Sequence, residues 1–173
     1  DPNPDDEVLI VGAGVGYTAA VLAEIVGECS VHAVDIDRGI VLEARRNLAR
    51  AGYEGVLVDC LDGARGLPEY APFDRVLVEA AAVRPPRPLV EQVAPDGRLV
   101  MPIGTQEQTL TIIDDDGETV ERLGSVVFAP LLVEGEQASA IERNRTERED
   151  KEHARRAAER RPGWQHEWID WDG

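Results

Sequence analysis

The stretch VLIVGAGVGYT, residues 8–18, decides the fold class. Four apolar residues lead directly into three glycines, Gly12, Gly14 and Gly16, and Thr18 then begins a segment with apolar residues at helical spacing. Glycine is the residue that permits a sharp turn between a strand and a helix and lets a ligand approach the backbone. The helix that follows presents free N–H groups at its amino end. The stretch therefore predicts a buried strand, a ligand-binding turn and a helix.

The spacing of the glycines indicates the class of ligand. A dinucleotide fingerprint is GxGxxG, and its third glycine would stand where this chain has Tyr17. The chain has GxGxG instead, and that spacing resembles the first motif of S-adenosylmethionine-dependent methyltransferases, whose cofactor carries no pyrophosphate. We therefore predict that Gly12, Ala13, Gly14 and Gly16 bind S-adenosylmethionine. A glycine turn without any ligand is the alternative.

Strand and helix signals alternate up to about residue 130. The predicted strands are residues 7–11, 30–34, 56–58, 74–80 and 98–101, and the predicted helices are residues 18–26, 38–51 and 89–93. Two further strands, 108–113 and 118–127, flank the turn Asp114-Asp-Asp-Gly117. We predict an α/β protein with a Rossmann-like methyltransferase fold, in which a mostly parallel sheet ends in a C-terminal antiparallel hairpin and carries helices on both faces.

Composition divides the chain near residue 134. Residues 1–133 carry the alternating pattern, whereas residues 134–173 are highly charged and end with Trp164, Trp168 and Trp171. This spacing places the three indole rings on one face of a helix. We predict a cofactor-binding domain at 1–133 and a charged helical tail at 134–173. We expect the tryptophans to anchor the tail, with a lid over the substrate cleft as the alternative.

The charge balance excludes some partners. Acidic residues outnumber basic ones by 34 to 18, the formal net charge is −16, and Lys151 is the sole lysine. A surface of this sign repels phosphate backbones, so we expect no nucleic-acid partner. High salt screens the self-repulsion that such a charge causes. The composition therefore favours a halophilic protein over an ordinary acidic one.

Cysteine and histidine usage indicates a reduced, cytoplasmic protein without a metal site. Cys29 and Cys60 fall beside or inside predicted strands and form no CxxC pair. His32, His153 and His166 lie far apart in the sequence, and we expect structural or solvent-exposed roles for them. The chain contains no run of about 18 apolar residues, so we expect no membrane span.

Two further segments complete the predicted cofactor site. Asp35 and Ile36 follow the second predicted strand, where a carboxylate can accept hydrogen bonds from both ribose hydroxyls. Capping of the next helix is the alternative role for Asp35, but Asp37 fits that role better. Asp62 and Gly63 follow the third predicted strand. Because ligands lie outside the carboxyl ends of strands in open α/β sheets, we expect this pair to meet the adenine, with a surface turn as the alternative.

Over about residues 5–132 the chain resembles protein-L-isoaspartate O-methyltransferases. Residues 8–24 look like the first motif of that family, and LDG at 61–63 with APFDRV at 71–76 is similar to its "GDG…APYD" stretch. The later motifs, which are far more specific than the glycines, match three further parts of the chain: EAAA at 79–82 with Pro88-Leu89, GRLVMPIG at 97–104, and VFAPL at 127–131.

The resemblance implies a carboxyl methyltransferase that repairs L-isoaspartyl residues in damaged proteins. We include Glu79 in the cofactor site, and the resemblance places the substrate at the backbone of Ala80, Ala81 and Ala82, where a plain strand end is the alternative. An isoaspartyl carboxylate is already ionised at pH 7, so no catalytic acid or base is named. A methyltransferase for tRNA or a small molecule, and a non-catalytic cofactor-binding domain, are the competing interpretations.

The chain departs from the family pattern at three places. Ile10 stands where the family usually has an acidic residue, and Glu79 stands where a small or hydroxyl residue is common. The family's N-terminal segment, which lines the substrate site, has no match here, because Asp1 lies only a few residues before the first strand. These first residues show no secretory signal. We therefore expect a fragment that binds cofactor but methylates isoaspartyl peptides poorly or not at all, since misplacement by about 1 Å can cost about 10²-fold in rate.

The net charge yields a testable expectation about salt. Thermal stability should rise between about 0.1 M and about 1 M KCl, because the Debye length falls from about 10 Å to about 3 Å over that range and screens the repulsion. Thermal melts at the two salt concentrations measure the effect. A flat or falling midpoint would remove the argument for salt adaptation.

Overall fold

The computed structural model describes residues 2–132. Its strands are β1 (Val8–Val11), β2 (Val31–Asp35), β3 (Leu57–Cys60), β4 (Phe73–Val78), β5 (Val93–Gly104), β6 (Gln108–Ile113) and β7 (Thr119–Val126). Its α-helices are α1 (Tyr17–Val26), α2 (Arg38–Ala51) and the single turn α3 (Arg87–Val90), and 3-10 turns lie at Glu28–Ser30 and Gly63–Arg65.

The seven strands form one sheet in the order β3-β2-β1-β4-β5-β6-β7. The first five strands are parallel, and β6 pairs antiparallel with both β5 and β7. The predicted mixed sheet with a C-terminal antiparallel hairpin is thus confirmed. From β1 the strands follow one another outward to β3, and from β4 they follow one another outward to β7 on the other side. The carboxyl ends of β1 and β4 therefore form the switch point where α/β folds bind ligands.

The central strand β1 is buried on both faces, which explains its unbroken apolar sequence. Val8 and Ile10 belong to a core with residues of α1 and α2. Leu9 and Val11 belong to a second core, on the opposite face, that includes Leu89 of α3. Helices therefore cover both faces of the sheet, as predicted. Full burial of each large apolar side chain contributes about 1.5–3 kcal/mol.

Helix α2 begins and ends where the local sequence predicts. Its N-cap is Asp37, whose Oδ1 accepts hydrogen bonds from the N–H groups of Gly39 at 2.6 Å and Ile40 at 3.1 Å. Gly52 closes the helix in the left-handed conformation, with φ of 90°. Because Asp37 satisfies the amino end of the helix, Asp35 is not needed there.

The boundary between α3 and β5 differs from the prediction. The predicted helix 89–93 is one turn that ends at Val90, and β5 begins at Val93 rather than at Arg98. Val93 already pairs with Phe73 of β4. The predicted turn at Asp96-Gly97 is a bulge within β5, where Asp96 has a φ of 64°. Pairing with β4 therefore overrides the local helix signal.

The chain beyond β7 returns to the carboxyl end of β4. Gln108 is buried, its Oε1 accepts a hydrogen bond from the N–H of Phe128 at 2.6 Å, and its Nε2 donates to the oxygen of the same residue at 3.0 Å. This pair of bonds ties residue 128 to the start of β6. The next residues then reach Ala81, whose N–H donates to Ala129 and whose oxygen accepts from Leu131, both at 2.8 Å.

The described residues belong to a compact unit that extends over Asp1–Glu134. The predicted charged tail, with Trp164, Trp168 and Trp171, lies outside the described residues. Within residues 2–132, no helix combines the length and the apolarity that a membrane span requires.

Tyr53 provides a pH test of the contact between α1 and the chain after α2. Its hydroxyl donates to Glu24 of α1 at 2.6 Å, and this hydrogen bond raises the pKa of Tyr53 above its usual value of 10.0. The neutral hydroxyl is favoured in the folded state, so the stabilisation is complete below pH 10 and is lost as the pH rises through the raised pKa.

We therefore expect the stability difference between the native chain and Tyr53→Phe to shrink between about pH 9 and about pH 12. Urea unfolding of both proteins across this range measures it. A difference that stays constant throughout would show that the Tyr53–Glu24 bond does not contribute to folding.

Candidate functional site

The glycine turn after β1 is fixed by the strands on either side of β1. The N–H groups of Gly12 and Ala13 both donate to the carbonyl oxygen of Val34 in β2, at 2.8 and 3.0 Å. On the other side, the N–H of Glu79 donates to the oxygen of Val11 at 2.8 Å. The turn and Glu79 therefore lie together at the carboxyl edge of the sheet, as the sequence predicts.

All three glycines of the turn have the positive φ angles that other residues rarely adopt: 96° for Gly12, 51° for Gly14 and 89° for Gly16. A Cβ on Gly12 would lie 3.3 Å from Cβ of Glu79, and a Cβ on Gly16 would lie 3.1 Å from the Leu48 side chain. No atom lies within 4 Å of the Cβ position of Gly14. Gly12 and Gly16 thus allow close packing, whereas Gly14 faces open space.

Asp35 is fixed at the mouth of this turn. Its Oδ2 accepts a hydrogen bond from the N–H of Gly14 at 3.2 Å, and its Oδ1 accepts one from the N–H of Asp37 at 3.0 Å. A carboxylate has about four lone-pair positions, so these two bonds leave acceptor capacity for two hydroxyl groups. Asp37 rather than Asp35 caps the helix, and the ribose contact of Asp35 stays a prediction.

The loop after β3 lies against the same edge. The N–H of Leu61 donates to the oxygen of Asp35 at 3.1 Å. Asp62 begins a 3-10 turn and accepts a hydrogen bond from the N–H of Ala64 at 3.0 Å. Gly63 is buried against Val11, and a Cβ there would collide with that side chain. The structure therefore brings Asp62 and Gly63 together with the glycine turn and Asp35.

Beside this loop is an open cleft of about 500 Å³, a volume within the usual range for small-molecule sites. Ile36 and Leu61, which line the cleft, are exposed over 40% and 43% of their surface. The cleft is lined by Ile36, Cys60, Leu61, Asp62, Arg65, Gly66, Pro68 and Glu69. It offers apolar surface next to Asp35, which suits a planar heterocycle attached to a ribose.

The backbone at the predicted substrate position is heavily bonded. The N–H of Ala81 donates to Ala129 at 2.8 Å, and the N–H of Ala82 donates to Pro102 at 3.2 Å. The oxygen of Ala82 also accepts a hydrogen bond from the N–H of Gly104 at 2.9 Å. A substrate carboxylate needs donors, and these two N–H groups are occupied. Ala81 is also buried, so a substrate at this position would meet the half-buried side chains of Ala80 and Ala82.

Gln92 is the residue near the site that sequence reasoning missed. It follows Glu91 at the end of α3, where a polar residue attracts no attention, yet it is 6% exposed. Its side-chain amide bonds to the backbone of Arg65 and Leu67, in the loop that lines the cleft. The one signal in the sequence is a polar residue directly before the apolar start of β5.

Comparison with known proteins identifies a family. A family model described as protein-L-isoaspartate(D-aspartate) O-methyltransferase (PCMT) matches residues 2–137. A curated protein-L-isoaspartate O-methyltransferase from Aeropyrum pernix is 50% identical over 140 residues, which cover 78% of this chain and 54% of the relative. The same enzyme from Methanococcoides burtonii is 45% identical over 129 residues, which cover 72% and 64% respectively. The chain thus spans between half and two thirds of these relatives.

Solved structures show the same fold. A protein-L-isoaspartate O-methyltransferase superposes with a TM-score of 0.71 at 29% identity, covering 82% of this chain and 46% of that chain. A Plasmodium falciparum structure in complex with S-adenosyl-L-homocysteine superposes with a TM-score of 0.67 at 23% identity, covering 75% and 67%. Given the family model and the 50% identity over most of its length, the chain belongs to the protein-L-isoaspartate(D-aspartate) O-methyltransferase family.

Proposed function

We propose that this chain binds S-adenosylmethionine and takes part in methylating the side-chain carboxylate of L-isoaspartyl residues, a protein-repair reaction. The observation that carries the proposal is the glycine turn with the Asp35 carboxylate fixed at its open face. The names of the relatives support the substrate class, because they are protein-L-isoaspartate O-methyltransferases at 40–50% identity.

The residues around the turn fit the parts of such a cofactor. The open space at Gly14 accommodates a ligand against the backbone, and Asp35 can accept bonds from the ribose hydroxyls. The cleft between Ile36 and Asp62 can take the adenine. Glu79, adjacent to Gly12, places an acidic side chain near a cofactor that carries two positive groups. Bound there, the cofactor supplies a methyl group on an electrophilic sulfonium.

The reaction requires alignment rather than acid–base chemistry from the protein. The isoaspartyl carboxylate is ionised near neutral pH and is itself the nucleophile. The contribution of the chain is to hold the reacting atoms about 3–3.5 Å apart and in line. Just beyond β4, the backbone of Ala81 and Ala82 is hydrogen-bonded to neighbouring segments, and the half-buried side chains of Ala80 and Ala82 offer an apolar surface against which a substrate can be oriented.

A pair of matched peptides tests the substrate class. In the presence of labelled S-adenosylmethionine, we expect at most slow formation of base-labile methyl esters on an isoaspartyl peptide and none on the same peptide with normal aspartate. Equal labelling of both peptides would contradict the specificity. Labelling of tRNA or of a small molecule instead would favour the competing methyltransferase function, and cofactor binding without any transfer would favour a cofactor-binding domain.

The glycine spacing predicts which ligand binds. S-adenosylhomocysteine should bind and NAD should not, because the turn has glycine at 16 and tyrosine at 17, whereas a dinucleotide fingerprint needs glycine at the latter position. Calorimetric titration with each ligand decides between them. Tighter binding of NAD would end the methyltransferase interpretation.

Asp35 and its neighbour Asp37 form a matched pair for mutation. Asp35→Ala should weaken cofactor binding by about 1–3 kcal/mol, because two ribose hydroxyls lose a charged acceptor. Asp37→Ala removes the cap of α2 and should cost about 1 kcal/mol of folding stability, with less effect on affinity. Calorimetry and urea unfolding of both variants separate the two roles. An unchanged affinity in a folded Asp35→Ala protein would place the ribose elsewhere.

The composition and the cysteines support a proposal about the cellular environment of the protein. We propose a reducing, cytoplasmic environment of high salt, with isoaspartyl proteins rather than nucleic acid as partners. Cys29 and Cys60 are both exposed and free, which suits a reducing compartment. The net charge of −16 with a single lysine, Lys151, supports the high salt and disfavours a phosphate backbone.

A further inference from the structure

A buried glutamine holds the loop that forms most of the cleft. Oε1 of Gln92 accepts a hydrogen bond from the N–H of Leu67 at 2.8 Å, and Nε2 of Gln92 donates to the carbonyl oxygen of Arg65 at 2.8 Å. One primary amide thus satisfies a backbone donor and a backbone acceptor two residues apart. The amide thus supplies this loop with the kind of paired hydrogen bonds that a neighbouring strand supplies within a sheet.

The residue between these two bonds is a glycine, and its shape matches the amide. Gly66 has a φ of 67°, and a Cβ there would collide with the side-chain amide of Gln92. The amide therefore lies directly against the backbone of Gly66. Together, Gln92 and Gly66 fix the path of the chain between the 3-10 turn and Pro68.

Gln92 can hold the loop because its own backbone is immobilised. The carbonyl oxygen of Gln92 accepts a hydrogen bond from the N–H of Phe73, at the start of β4, at 2.8 Å. Leu67, Phe73 and Leu89 surround this part of the chain and are all fully buried. The loop is thereby tied to the core of the sheet rather than to another surface segment.

We propose that Gln92 is a positioning residue for the cofactor: it fixes the loop at Arg65–Leu67 and so keeps the adenine side of the cleft open and correctly shaped. This inference rests on the proposed function, because it takes the cleft as the adenine site. Gln92 does not line the cleft itself. Its effect on cofactor binding passes through Arg65, Gly66 and Pro68, which do.

Replacement of Gln92 by glutamate tests its two hydrogen bonds to the loop while keeping the size of the side chain. A protonated glutamic acid has the shape of glutamine and also carries one donor and one acceptor, so it can make both bonds. An ionised glutamate has acceptors only, and one oxygen would then face the carbonyl oxygen of Arg65. The low exposure of position 92 raises the pKa of a carboxyl group placed there. The fit of Gln92→Glu should therefore depend on pH.

The experiment is calorimetric titration of S-adenosylhomocysteine into the native chain and Gln92→Glu between about pH 5 and about pH 8. The affinity of the variant is divided by that of the native chain at each pH, so that pH effects common to both proteins cancel. We expect a ratio near one at the acid end and a loss of about tenfold or more at the alkaline end, because a buried backbone acceptor loses its donor there.

Gln108→Glu is the matched control. Gln108 is similarly buried, at 8%, and its amide bonds the backbone N–H and oxygen of Phe128, beyond β7, and the backbone oxygen of Thr105. This variant should lose folding stability as the pH rises, while its affinity ratio for S-adenosylhomocysteine stays flat. The comparison distinguishes a specific effect on the cleft from general weakening of the fold.

Each outcome decides a separate point. If the native chain binds and the Gln92→Glu ratio is flat, or matches that of Gln108→Glu, the positioning role is wrong. If the native chain does not bind S-adenosylhomocysteine, the proposed function fails and this inference fails with it. If Gln92→Glu does not fold, Gly66→Ala tests the same contact from the side of the loop. We expect it to lower the affinity for S-adenosylhomocysteine about tenfold. An unchanged affinity would overturn the proposal.

Discussion

The structure depends on the way one carbonyl group holds the chain at the switch point of the sheet. The oxygen of Val34 accepts hydrogen bonds from the N–H groups of both Gly12 and Ala13, and the chain must then turn from β1 into α1. Positive φ angles at Gly12 and Gly14 make that turn possible. Because Asp35 directly follows Val34, the bond that makes the turn also places the carboxylate beside the N–H of Gly14. The fold and the candidate cofactor site therefore share one constraint.

Two buried glutamines stabilise the parts of this edge that no strand supports. Gln92 bonds the backbone at Arg65 and Leu67, and Gln108 bonds both backbone groups of Phe128. A primary amide is suited to this task, since it offers a donor and an acceptor without a charge and so avoids the cost of burying an ion. The first glutamine supports the loop of the cofactor cleft, and the second supports the chain that reaches Ala81.

Features with local causes could be predicted from the sequence, and features with distant partners could not. The bounds of α2 and its Asp37 cap follow from neighbouring residues, and both are confirmed. The start of β5 is set by pairing of Val93 with Phe73, which no local pattern reveals. Gln92 was missed for the same reason, because its partner Leu67 is 25 positions away. Asp35 could be found because its position at the end of a strand is itself the signal.

The most direct test of the account is a crystal structure of the chain grown with S-adenosylhomocysteine. We expect the homocysteine part to lie against Gly14 and the adenine to lie in the cleft between Ile36 and Asp62. Both ribose hydroxyls should lie within hydrogen-bonding distance of the Asp35 carboxylate. The Gln92 amide should still bond Arg65 and Leu67 in that complex. A ligand bound with its ribose away from Asp35, or with its adenine outside this cleft, would contradict the account.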